Sequence, residues 1–366
     1  MAISIDTILN SIELGEIQSF KNMTVVPLLS SIQAETIPKR DYITFEEAIK
    51  EKLIEIHELG AGGAVPTLRI INKGERPILI AEGEIVKGGQ QDREINISII
   101  IPGIKKDGKQ VEIDVPVSCV EQSRWGGTSI HSSAGHRSDV RTRAIRTKGM
   151  QSTAFSTREY SSPQSAIWQE IASKHSSFGT GSRTQTMNDV YSKIDKELDN
   201  FSKEFKIEAD QVGILVLISG VVIGLDYFLH KELLQENWEK IIEGYAIDAL
   251  KQLIRDKKEK KCKAEEAKEK AKTFLKKLRE TQSTRIKNPR KSRGDDLRFD
   301  SEDVTGSAVI MDEKALHMSA FQKTAWKDGL SSRASLRRRS RVQTPRQQRV
   351  IDLDQPVEDI LDEEQE

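Results

Sequence analysis

The chain has 366 residues with 57 basic and 57 acidic side chains, a formal net charge of zero, and 36% hydrophobic residues. That length accommodates one large domain or two ordinary ones with a sizeable core, and the balanced charge excludes a global field that would recruit nucleic acid or an anionic membrane. The two cysteines, Cys119 and Cys262, are too few for a secreted disulfide framework, and the opening MAISIDTILNSIELGE lacks the basic region and apolar core of a signal peptide, so a reducing, cytoplasmic setting is expected.

In chain order, MTVVPLL (23–29) reads as the first strand. Thr44 and Glu47 form a T-x-x-E capping box that predicts a short helix through FEEAIKEKL, followed by the strand IEIHE. Four strand signals then fall between 64 and 121: AVPTLRII, ILIAEGEIV, EINISIII and VEIDVPVSCVE, separated by NKGERP, the Gly88-Gly89 loop and PGIKKDGK. An antiparallel meander is the simplest topology for them. Ile95, Ile97, Ile99 and Ile101 alternate with Glu94, Asn96 and Ser98, which predicts one apolar and one more polar face.

From Gln122 to about Ser162 the chain is rich in Ser, Gly, Thr and Arg and reads as a long, partly disordered excursion. Within it Arg137, Arg141, Arg143, Arg146 and Lys148 stand against one acid, Asp139, which reads either as a solvated helix face or as a phosphate-facing patch. Helix signals return at Ser162-Pro163, after Asn188 with Val190, Tyr191, Ile194, Leu198, Phe201 and Phe205, and again with Leu234, Trp238, Ile241, Ile242, Tyr245, Ala249 and Leu253.

GILVLISGVVIGLDYFL (213–229) approaches the length of a membrane span. Ser219-Gly220 at its centre marks a hairpin, and Asp226 would be costly in lipid, so a buried hairpin over 212–226 is predicted and no membrane is expected. A second hairpin follows at 307–321. The charged stretch 255–280 reads as an exposed helix docked through Phe274, Leu275 and Leu278. Its interleaved acids argue against nucleic acid, but it and the tail are candidate contacts for a protein partner. Residues 331–366 are low in apolar content and split by charge, which predicts disorder. The expected class is therefore α+β, with antiparallel sheets and three to four packed helices.

No P-loop, nucleophile elbow or His/Cys pair at metal-ligand spacing occurs, so neither a metal nor a cofactor is expected. Cys119 follows Ile113, Val115 and Val117 on an apolar face and reads as a packed thiol, for which Ser should be costlier than Ala. That face turns acidic at Glu121, just as Ile78 and Ile80 continue as Glu82 and Glu84. In a meander the strand ends at 84, 94 and 121 share one edge. Glu84, Gln90, Gln91, Arg93, Asn96, Glu121 and Arg124 should gather there, with Trp125 as an apolar wall, either as a site or as an ion-pair network.

EGEIVKGGQQDREINISIIIP followed by IDVPVSCVEQSRW resembles the signature of the ARG and rhodanese-phosphatase-superfamily-associated protein domain, ARG denoting ADP-ribosylglycohydrolase. QSAIWQEI, NDVYSKIDKELDNFSKEF, GLDYF, EGYAIDAL, GDDLRF and GSAVIMDEKALHMSAF extend the similarity over about 13–325, with 255–268 as a charged helical insertion. Gln90 stands where the family has lysine and Ser123 where it has glycine, so a role needing a cation at 90 is not carried over. The resemblance implies a neighbourhood of NAD-derived metabolites and no mechanism. The expected function is intracellular binding of, or accessory work on, a phosphate-bearing, ADP-ribose-like ligand, with Gln90, Gln91, Arg93, Asn96, Arg124 and Trp125 as contacts. The alternatives are a hydrolase with Glu84 or Glu121 as general base, and a purely structural interaction module.

Overall fold

A computed structural model describes residues 5–59, 66–105, 107–127, 130–157 and 159–326. The charged tail expected to be disordered, 331–366, lies outside the described residues. The fold is α+β, with antiparallel sheets and, among the described residues, eight helices. These are α1 (Ile5–Ser11), α2 (Phe45–Lys50), α3 (Val140–Thr157), α4 (Gln164–Phe178), α5 (Met187–Lys193), α6 (Asp195–Glu204), α7 (Lys231–Asp256) and α8 (Ala264–Glu280).

The largest sheet has nine strands, in the order 12–14, 23–30, 211–218, 221–228, 314–322, 304–311, 295–300 and 283–286, with 18–20 added on 23–30. Both predicted hairpins lie at its centre, paired to each other so that Asp226 faces Ser319. Ser219 and Gly220 (φ 50° and 78°) and Asp312 and Glu313 (φ 49° and 60°) are consecutive left-handed pairs, the geometry that matches strand twist in a two-residue turn. The apolar run 213–229 is thus spent on a buried hairpin, and no helix of the described residues is long and apolar enough to cross a membrane. The Thr44–Glu47 capping box closes α2 at both of its hydrogen bonds. Where one helix was expected after Asn188, a break at Ile194 makes two, and α4 begins at Gln164 with Pro163 as its cap.

The stretch 64–121 does not form a strand-by-strand meander. ILIAEGEIV splits into 78–80 and 84–87 around Gly83 (φ 89°), and EINISIII splits into 93–95 and 99–101. The outer halves pair as Ile80 with Ile99 in a three-stranded sheet completed by 43–44, which lies parallel to 78–80. The inner halves join a six-stranded antiparallel sheet in the order 132–137, 84–87, 93–95, 111–119, 67–72 and 54–58. The bends let each segment serve two sheets, and strand 67–72 consequently pairs with 111–119 and 54–58 rather than with 78–80, the strand that follows it.

Glu94, Asn96 and Ser98, the more polar face of 94–101, are as buried as the isoleucines. Glu94 faces Arg146, and Ser98 lies 2.8 Å from His317 Nδ1. The basic segment, expected as an excursion, is the strand 132–137 followed by the 18-residue α3. Its Arg137, Arg143 and Arg146 are at most 1% exposed, which overturns the solvated-face and the phosphate-facing readings for these three, whereas Lys148 is exposed. Arg143 is bidentate on Asp226 at 2.6 and 3.1 Å and also reaches Glu82 at 2.5 Å. Arg137 bonds the Glu82 carbonyl and carboxylate, and Arg146 pairs with Glu82 and Glu94. Burial disfavours the charged form of Asp226, but Arg143 and Arg137 outweigh it and hold that carboxyl well below the ordinary range. Three guanidiniums meet three carboxylates whose sequence positions lie far from theirs, and local charge counting misses such partners.

Candidate functional site

The connection between 84–87 and 93–95 carries two of the expected contact residues, Gln90 and Gln91, and leads into a third, Arg93. Gly88 and Gly89 lie at positive φ (109° and 51°), and a side chain at Gly89 would stand 2.1 Å from His131 Nε2, so the close approach of the imidazole requires glycine there. Arg124 locks the loop. Its Nη1 donates to Gly89 O at 2.8 Å, its Nη2 to Asp92 at 3.2 Å, and it forms an ion pair with Glu121 at 2.7 Å. The Glu121 carboxylate also accepts the Asp92 amide at 3.0 Å, while Asp92 accepts from Thr186 and Asn188 at 2.7 and 2.8 Å. Burial would raise the Glu121 carboxyl, but hydrogen bonds from Arg124 and the Asp92 amide prevail and hold it below its ordinary value. This half is a filled clamp, with no bond of Glu121 left over for a general base at neutral pH.

The adjoining half is different. Arg93 is fully buried, and its Nη1 donates to Gln91 Oε1 and Cys119 Sγ, both at 2.6 Å. Its Nη2 faces Glu58 at 3.7 Å without a hydrogen bond, and neither Nη2 nor Nε has a hydrogen-bond partner among the described residues. Glu58 Oε1 accepts from the Gln90 amide at 3.0 Å and faces His131 Nε2 at 3.1 Å. Glu58 Oε2, His131 Nδ1 and Gln90 Oε1 likewise have no partner among the described residues. Trp125, 51% exposed, lies over the guanidinium with its ring centre 5.6 Å from Arg93 Cζ. Burial pushes the Cys119 thiol up despite Arg93 beside it, so it is a packed sulfur rather than a thiolate.

The structure thus brings Gln90, Gln91, Arg93, Glu121, Arg124 and Trp125 together and leaves two expected members out. Glu84 begins the 84–87 strand instead of ending a longer one, because the bend at Gly83 intervenes, and it pairs with Lys240 at 2.8 Å. Asn96 accepts from Ser118 at 2.6 Å within the sheet. The reasoning from sequence missed Glu58 and His131. Glu58 carried a usable signal, since Ile54, Ile56 and Glu58 repeat the apolar face turning acidic that marked Glu121. His131 carried none, because only the fold brings its loop to Gly89.

Among the described residues no group of three or more His, Cys, Asp or Glu is placed to hold a metal ion. No curated protein and no solved structure matches the chain. A family model does, over residues 11–321, and it spans both the 88–93 loop and the sheets that position it. The chain belongs to the ARG and Rhodanese-Phosphatase-superfamily-associated Protein domain family.

Proposed function

We propose that the face made by the 88–92 loop, Arg93 and Trp125 binds a phosphate-bearing, nucleotide-derived ligand of the ADP-ribose type, and that the protein is an intracellular binding or accessory protein. The observation that carries this reading is a fully buried guanidinium with two unspent nitrogens beneath an exposed indole. Buried polar groups are ordinarily satisfied, and an exposed aromatic beside them suits a planar base. The family's name, which links it to ADP-ribosylglycohydrolase, supplies the ligand class. Two unpaired cysteines agree with a reducing compartment. The hydrolase alternative has less support, because Glu121 is a weakened base and Glu84 is held by Lys240 away from the loop.

Titration with ADP-ribose tests the reading, followed by melting temperature and tryptophan fluorescence. The wild-type protein should melt higher as ligand is added. Trp125→Ala should lose most of that shift while melting near the wild-type temperature alone, since the indole is half exposed. No shift with ADP-ribose, ADP or AMP at millimolar concentration overturns the proposal, and turnover of ADP-ribose derivatives would move it to the hydrolase.

A further inference from the structure

The unspent atoms beneath Trp125 have a definite donor and acceptor character. An ionised Glu58 oxygen only accepts, so the His131 Nε2 that faces it at 3.1 Å carries the proton and donates. Burial holds the imidazole below its ordinary value, so His131 is neutral and its Nδ1 is a bare lone pair. The free groups are therefore three acceptors, Glu58 Oε2, His131 Nδ1 and Gln90 Oε1, against two donors, Nε and Nη2 of Arg93.

A phosphate group has only acceptors at neutral pH and would leave all three protein acceptors unmatched, at about 1–3 kcal/mol for each buried group. Charge points the same way. Glu58, Asp92 and Glu121 outnumber Arg93 and Arg124 in the linked cluster, so its net charge is negative. A vicinal diol meets this set better, because its two O–H groups donate to two of the three acceptors while their oxygens accept from the guanidinium.

We infer that the Glu58–His131–Gln90–Arg93 cluster recognises the cis-diol of a ribose, leaving any phosphates outside it, toward solvent. This deepens the nucleotide-ligand reading and rests on it for the rest of the ligand.

The test compares ribose 5-phosphate with 2-deoxyribose 5-phosphate, which share a phosphate and differ by one hydroxyl, by calorimetry on the full chain. The wild-type protein should favour the ribose compound by about 10-fold to 100-fold, the worth of a hydrogen bond to a charged group. Glu58→Gln, checked for a native melt, should lose most of that preference. If that variant does not fold, the wild-type ratio alone decides. Equal binding of the two sugars, with Glu58→Gln binding both more tightly, means that the cluster takes the phosphate and overturns the diol inference while the nucleotide reading survives. A preserved ribose preference without any response to ADP-ribose overturns the nucleotide reading instead. Binding of neither sugar overturns the inference and assigns the unspent atoms to water.

Discussion

Glu82, Glu94 and Asp226 meet Arg137, Arg143 and Arg146 between the sheets, whereas a few residues along the same strands Arg93 meets Glu58 and His131 beneath Trp125. Both clusters bury guanidinium beside carboxylate. The first matches three cations with three anions and adds Tyr245 as a donor to Asp226 at 3.0 Å. The second leaves two donors and three acceptors unspent under a half-exposed indole. Buried charge does not by itself mark a site. What distinguishes the second cluster is its place beside an exposed indole and its unmatched charge, not unpartnered atoms alone, since Arg146 Nε and Glu94 Oε2 of the first also lack hydrogen bonds among the described residues.

Breaking the closed cluster should have the largest effect. Asp226→Asn leaves Glu82 as the one carboxylate against Arg143 and Arg137 at full burial, and urea unfolding should show a loss of about 3–5 kcal/mol. A loss below about 1 kcal/mol would erase the contrast between the clusters.

A second filled network, around the buried Lys174, sharpens the comparison through pH. Lys174 pairs with Glu170 at 2.6 Å and Asp139 at 2.8 Å, and Glu170 also meets Lys251 and Arg141. Burial works against the Glu170 carboxylate, but Lys174, Arg141 and Lys251 overcome it and hold the carboxyl at about 2, below its ordinary 4.5. A carboxyl with a depressed folded value stabilises above its unfolded value and loses that contribution as pH falls toward the folded one. Glu170→Gln should therefore cost about 3 kcal/mol at pH 7 by urea titration, and the gap from wild type should close between about pH 4.5 and about pH 2.

The clamp at the loop should respond less. Glu121→Gln keeps the shape but weakens a pair whose arginine is 29% exposed. About 1–2 kcal/mol is expected from equilibrium unfolding, because solvent takes over part of the arginine's charge. A cost as large as that of Asp226→Asn would place the clamp with the closed cluster.

The smallest effect concerns Cys119, where the structure reverses an expectation. A buried hydroxyl at 119 is not stranded, since Arg93 Nη1 already donates to the sulfur at 2.6 Å. Cys119→Ser should hence be the milder change and Cys119→Ala the costlier by about 1 kcal/mol in thermal or urea melts. The opposite order would show that Arg93 does not depend on residue 119.

How much was legible follows from the range of the interaction involved. The Thr44–Glu47 box and the Ser219-Gly220 turn depend on residues a few positions apart, and both are present as read. Gln90, Gln91, Arg93, Glu121, Arg124 and Trp125 were found because strand register carries over two neighbouring strands. Glu84 was misplaced because nothing in ILIAEGEIV distinguishes a continuous strand from one that bends at a glycine. The arginines of α3 were misread because their counterions stand at 82, 94 and 226.

The sequence alone determined the α+β class, both hairpins, the packed Cys119 and the loop with its glycines, since propensity, turn chemistry and periodicity act over a few residues. Tertiary structure alone decided that a basic segment becomes core, that two strands bend to serve two sheets, and that Glu58 and His131 join Arg93. Burial and ion pairing are properties of neighbours in space, and those neighbours are brought together only when sheets and helices close on one another.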